Sequence, residues 1–135
     1  MPASAAVTRD AGTRTSRGVV AIVRSDGASA CERCAIADRM LSRMKGLLGR
    51  RSLPPDEGIL IRPAPSIHTF FMRFPIDVVF LSRQGEILKI AEHVSPWRAR
   101  WCRHSYAVLE LAAGEAGRRG LAVGDRIDTA EPVGA

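Results

Sequence analysis

The stretch SIHTFFMRFPIDVVFL, residues 66–81, constrains the fold of this chain more than any other. In an extended strand alternate side chains share a face. One face would carry His68, Phe70, Met72 and Phe74, and the other Thr69, Phe71 and Arg73. Beyond Pro75, which lacks the N–H a ladder needs and so marks an edge, bulge or crossover, Ile76, Val78 and Phe80 lie together, with Asp77, Val79 and Leu81 opposite. Both faces are largely apolar, so the segment is expected to be covered on both sides. A buried carboxylate needs a partner or an opening to water, and Arg73 and His68 are the nearest basic candidates for Asp77. The polar residues therefore form an island in an apolar wall, either a structural pin or the floor of a small pocket.

The rest of the chain reads as strands around this segment. GVVAIV is a first strand and Ser25-Asp26-Gly27 a hairpin turn, followed by ASACERCAIA as a second strand. Asp38 can cap a helix. Met40, Leu41, Met44, Leu47 and Leu48 then follow one helical face, and Gly49 suits a left-handed stop. RSLPPDEG, residues 51–58, is a loop. From Ile59 the period becomes two, with strands expected near 59–62, 67–73, 76–81, 86–91, 106–111 and 126–129. The expected fold is mainly β: a compact antiparallel sandwich or partly open barrel, with one prominent helix near 38–49 and a short helical turn near 114–120. Residues 1–17 read as a disordered basic arm, 18–130 as a single β-rich domain and 131–135 as a short tail.

The net charge of +6 raises nucleic acid or an anionic surface as partner. Of the 20 basic residues only Lys45 and Lys89 are lysine, a bias that GC-rich coding produces as readily as a partner does, so nucleic acid is not the expected partner. No apolar run approaches the roughly 20 residues of a membrane span, and no signal-peptide block opens the chain. Three cysteines cannot all pair, which fits a reducing, cytoplasmic setting.

Cys31-Glu32-Arg33-Cys34 is a C-x-x-C, and Cys102 with His104 adds a thiol and an imidazole. Together they make a conceivable zinc set of three thiolates and one nitrogen, or the first pair a redox couple. In a regular strand positions i and i+3 face opposite ways, so either use requires a turn there. The expectation is buried or half-buried thiols, with no metal and no cofactor. Ser95-Pro96-Trp97-Arg98, with Arg100, Trp101 and Arg103, mixes indoles with guanidinium groups. It suits stacking on a sugar face or base and clamping of an anion, or else a cap on an open barrel end. Glu110, in VLEL, is an outward strand residue or a partner of Arg98 or His68. There is no activated nucleophile and no phosphate-cradling glycine loop.

These segments resemble the bacterial and archaeal family known as domain of unknown function 192. The matching text is MLSRMKGLLGRRSL, EGILI, SIHTFFMRFPIDVVFLSRQGEIL, VSPWR, VLELAAG and LAVGDRI, in that order across residues 19–129. The resemblance implies a compact, mainly β fold with one prominent helix. It places His68, Met72, Asp77, Pro96, Trp97, Arg98 and Glu110 at motif positions and supplies no activity.

The leading expectation is a binding module. Its pocket would be lined by His68, Thr69, Met72 and Asp77, with Trp97 and Arg98 at the rim and Glu110 nearby, and would take a small polar or anionic ligand such as a saccharide or peptide end. The alternatives are a hydrolase-type enzyme using His68, Asp77 and Glu110, and an arginine-rich nucleic-acid or membrane-surface binder.

Overall fold

A computed structural model describes residues 19–37 and 50–130. The expected arm at 1–17, the helix at 38–49 and the tail at 131–135 lie outside the described residues. Nine strands are present among them: β1 (Val19–Arg24), β2 (Ser29–Ala37), β3 (Glu57–Ile61), β4 (Ser66–His68), β5 (Ile76–Leu81), β6 (Ile87–Val94), β7 (Ala99–Trp101), β8 (Ala107–Ala112) and β9 (Ile127–Ala130). The expected helical turn forms as α1 (Glu115–Arg118).

Seven strands make one sheet in the order β6-β5-β8-β3-β2-β1-β9, and β4 pairs with β7 in a separate two-stranded ribbon. The fold is mainly β, as expected, but the large sheet is mixed, because β2 and β3 run parallel. A parallel pair needs a long crossover, and residues 38–56 supply it. The edge strands meet at one end, where Glu86 bridges Arg126 and Ile127 N–H donates to Gly85 O at 2.9 Å. The sheet thus curls without closing into a barrel. Gly85 sits at φ +88°, and a Cβ there would lie 2.2 Å from the Ile127 carbonyl oxygen. Only glycine permits this seam.

The strands at the centre read as continuous apolar runs because both faces of the sheet are packed. One face of β5 and β8 contributes Val79, Leu81, Ala107, Leu109 and Leu111 to a core shared with Ile22, Cys31, Cys34, Ile127 and Ala116 of α1. The other contributes Ile76, Val78, Phe80 and Val108 to a second core, closed by Ile67 of the ribbon and by Met72 and Phe74. Gly58 lets β3 sit close between its neighbours, since a Cβ there would lie 2.8 Å from the Glu110 carbonyl oxygen and 3.0 Å from Cys31 Sγ.

The strand expected at 67–73 stops at His68. Thr69 turns the chain away: its N–H donates to Arg98 O, and its own carbonyl accepts from Met72 and Trp97 N–H groups. Phe71 then adopts φ +68°. The alternation foreseen across His68, Phe70, Met72 and Phe74 therefore fails. Met72 and Phe74 are buried, whereas Phe70 and Phe71 face solvent. Strand β7, absent from the sequence reading, forms because it is the partner that β4 needs.

Candidate functional site

Asp77 lies on fully buried β5, and its carboxylate takes neither Arg73 nor His68 as partner. Oδ1 accepts from His93 N–H at 2.9 Å, and Oδ2 accepts from Gly114 N–H at 3.0 Å and Ala116 N–H at 2.9 Å. Backbone amides satisfy a buried carboxylate as well as a cation does, and these three tie β6 and α1 to β5. Asp77 is a pin, and it is fully buried.

Glu110 is also buried, at 2% exposure. It faces the other way. In the β5–β8 ladder Glu110 is directly opposite Val78, while Asp77 is opposite Leu111. Side chains of directly paired residues share a face and successive ones alternate, so Asp77 and Glu110 occupy opposite faces of one sheet. The His68–Asp77–Glu110 acid/base trio is not assembled.

Thr69, fully buried, is a second pin. Its hydroxyl donates to Ser95 O at 2.6 Å and accepts from Arg98 N–H at 2.9 Å. This locks the turn after β4 to the loop before β7. Among the described residues no buried side-chain N or O atom lacks a partner, so Thr69 and Asp77, the buried members of the polar island, are satisfied within the fold.

What the Thr69 pin holds up is an aromatic surface. The His68 and Phe70 rings stack at 4.7 Å between centroids, Phe70 and Trp97 at 5.7 Å, and Phe71 tilts onto Trp97 at 4.7 Å. Phe71 is 64% exposed, Trp97 55% and Trp101 67%. Ser66 pairs with Trp101, and His68 with Ala99, across the ribbon, so Trp101 and His68 share the face turned away from buried Ile67. Phe71 and Trp97 both hold left-handed backbone, at φ 68° and 66°. For a bulky residue that costs about 1–2 kcal/mol each.

Of the arginines nearby, Arg98 stands beside Trp97, whereas Arg100 pairs with Ile67 across the ribbon and so lies on its opposite face. Arg24, Arg33, Arg50, Arg118 and Arg119 are paired with carboxylates. Arg98 and Arg100 instead donate to the carbonyls of Trp97 and Ala99 at 3.3 and 2.8 Å, and neither they nor Arg73 and Arg103 form an ion pair among the described residues. Of the residues singled out in the sequence, His68, Trp97 and Arg98 come together here, with Thr69 beneath and Met72 in the core below. Sequence reasoning assigned Phe70 and Phe71 to the core. The left-handed turn that exposes them has no glycine or asparagine to announce it.

The cysteines do not meet as a metal set. Pairing of Val20 with Cys34 and of Ile22 with Cys31 leaves an extra residue in β2. This bulge puts both thiols on the same face, where both are fully buried. Cys102 packs against the opposite core, His104 is exposed, and no group of three or more metal-ligating side chains exists among the described residues. The hydrogen bond to Cys31, with burial behind it, pushes the Cys34 thiol up and keeps it protonated.

The class these features define is a small curled mixed-sheet domain carrying one exposed aromatic face and two cores. The chain belongs to the domain of unknown function 192 family, described as an uncharacterized ACR family, whose model matches residues 21–129. Two solved structures resemble it. A Sinorhizobium meliloti protein described provisionally as a transcription regulator is 28% identical, with TM-score 0.72, over 85% of this chain and 95% of its own. A Novosphingobium aromaticivorans protein of unknown function is 24% identical, with TM-score 0.69, over 82% of this chain and 83% of its own. No curated protein matches the chain significantly.

Proposed function

We propose that this chain is a binding module whose aromatic–arginine face docks a polypeptide segment of alternating apolar and acidic residues. One observation carries the reading: Phe71 and Trp97 are held in costly left-handed backbone and yet are directed at solvent. Strain of this kind persists where the surrounding structure enforces it, and it gathers at functional surfaces. Aromatic residues and arginine are the residue types that anchor protein interfaces. Arg98, whose guanidinium meets Trp97 O and no carboxylate among the described residues, matches an acidic partner.

A saccharide fits less well, because the faces of His68, Phe70 and Trp97 are already turned toward one another. The regulator description of the Sinorhizobium protein favours nucleic acid as a competing occupant. Against it, the other five arginines named above are neutralised by carboxylates away from this face. A hydrolase cannot use Asp77 and Glu110 together, since they lie on opposite faces of the sheet, which leaves a single carboxylate to work with His68.

Trp97 and Trp101 are the two tryptophans of the chain, so intrinsic fluorescence reports on this face alone. Titration with a synthetic peptide alternating Asp and Leu should give a saturable blue shift. The response should weaken with added salt and be reduced in Phe71→Ala. An Asp→Asn peptide should bind less tightly. A flat titration, or a stronger response to a cello-oligosaccharide or to oligo-dT, would overturn the proposal.

A further inference from the structure

A second feature lies on the sheet itself, where the β5–β6 turn closes onto β9. β9 is the last strand of the sheet, and its two sides are used differently. Arg126 O accepts from Ser25 N–H at 2.9 Å on the β1 side, whereas Ile127 N–H donates to Gly85 O at 2.9 Å on the other. Backbone groups of successive strand residues alternate between the two neighbours. Asp128 therefore turns to Val23, its partner in β1, and Thr129 turns outward. The preceding chain has veered away into the β5–β6 turn, and no backbone group of the described residues pairs with Thr129 there. Beside this edge a cleft of about 130 Å³ opens, with Thr129 in its wall and Ile22, Leu60, Leu81 and Ile127 as its floor. We propose that Thr129 and the cleft together bind an extended neutral peptide as an added strand, with one leucine-sized side chain in the cleft.

Three observations carry the assignment. First, an unpaired amide and carbonyl at a sheet edge are the groups that a peptide strand completes. Pairing at Thr129 continues the antiparallel seam that Glu86 and Arg126 begin. Second, the register decides which side chain enters. Thr129 stands directly opposite Ile22, which is buried in the core inside the curl. Directly paired residues share a face. A peptide residue laid against Thr129 thus directs its side chain onto the same apolar floor, and its two neighbours point away. Third, the volume limits the occupant. A cavity of roughly 150 Å³ accommodates benzene, and drug-sized ligands fill about 300–1,000 Å³, so the cleft takes a single side chain.

The walls are set before anything binds. Ser82 Oγ accepts from Gln84 and Glu86 N–H groups at 3.2 and 3.1 Å, which fixes the turn. Tyr106, also in the wall, donates its N–H to Leu81 O at 2.8 Å and carries the Arg83 guanidinium over its ring at 4.3 Å. Little order is then lost on binding. Recognition is of backbone and one hydrocarbon side chain, so the ligand class is a polar–leucine–polar segment, unlike the acidic peptide assigned to the aromatic face.

In ¹⁵N-resolved NMR of the full chain, acetyl-Thr-Thr-Leu-Thr-Thr-amide should shift the amides of Thr129, Leu60 and Ala107 saturably and slow hydrogen exchange at Thr129 N–H. Exchanging the leucine for alanine, which empties the floor, should weaken binding about tenfold. N-methylating the leucine, which removes the donor to Thr129 O, should do the same. Both changes leave the protein itself unaltered, so its folding does not enter the comparison. The proposal is overturned if no saturable shift appears, if the alanine or N-methyl peptide binds as well as the parent, or if Thr129 exchange is already slow in the free chain. It also falls if Thr129 protection rises with protein concentration alone, which gives the edge to a second copy, or if the shifts fall on Trp97 and Trp101. Failure of the acidic peptide at the aromatic face would leave these outcomes unchanged, so the two readings fail separately.

Discussion

At the scale of single residues the polar groups threaded through 66–81 divide by what satisfies them. Asp77 binds three backbone N–H groups. In Asp77→Asn one carboxylate oxygen becomes an amide N–H₂ directed at backbone donors. Unpaired buried donors cost about 1–3 kcal/mol each, so urea denaturation should show a loss of about 3 kcal/mol, and an unchanged midpoint would contradict the pin. Phe71 should behave in the opposite sense. Phe71→Gly removes an exposed ring and relieves left-handed strain, so stability should hold or rise by up to about 1 kcal/mol while peptide binding falls. A ring retained for packing would give a clear destabilisation instead. Thiol reactivity separates in the same way. Cys102 is half-buried, while Cys31 and Cys34 are buried, so a maleimide should modify Cys102 first and leave the pair intact until unfolding. Equal rates at all three would refute the bulge geometry.

At the scale of elements, the four residues of α1 owe their place to a charge clamp as well as to Asp77. Arg119, just after α1, donates to both carboxylate oxygens of Glu32 on β2 at 3.0 and 2.7 Å, and to Pro55 O at 2.8 Å. The Arg119 guanidinium holds the Glu32 carboxyl down at about 2. Glu115, gripped by Arg118 and then by Arg119, is also lowered. A carboxyl whose pKa is depressed by folding stabilises the fold above its unfolded pKa, near 4.5 here, and that contribution fades as pH falls toward about 2. Melting temperature should therefore decline between about pH 4.5 and 2, and Glu32→Gln should flatten that decline. Glu32 is about half exposed, so the effect is modest. A wild-type profile that Glu32→Gln reproduces would remove the clamp from the account.

The same scale shows what could be read from the chain beforehand. β1, β2, β5, β6, β8 and β9 were legible because alternation and turn residues agree there, and α1 because Gly114 and Gly120 bracket it. β4 was overextended and β7 missed for one reason: a tertiary hydrogen bond from Thr69 to a loop about thirty residues away overrides a run of strand-forming residues. The candidate site was legible only at Trp97, Arg98 and His68. Asp77 and Glu110 look alike in sequence, each a lone acid in an apolar strand. Only the β5–β8 register sets them on opposite faces. The C-x-x-C objection from strand period also failed, because one extra residue in β2 resets the alternation.

At the scale of the whole molecule, two cores share one sheet, and the one that holds Ile67, Met72 and Phe74 carries the ribbon beneath the aromatic face. Phe71→Ala, a change outside both cores, should lower peptide binding without altering the cooperativity of urea unfolding. A changed dependence on urea would mean that the sheet transmits a rearrangement the pinned groups ought to forbid.

The seam at Gly85 makes β9 more than the last strand added. β9 completes β1 on one side, and the residues at its start fasten the β5–β6 turn, so the final strand of the domain joins pieces made near its beginning and its middle. A nascent chain halted before Ile127 would hold most of its ladders and still present raw backbone along β1. β1 is therefore sheltered only once β9 has been synthesised, which leaves a window in which chaperones, or another copy's strand edge, compete for it.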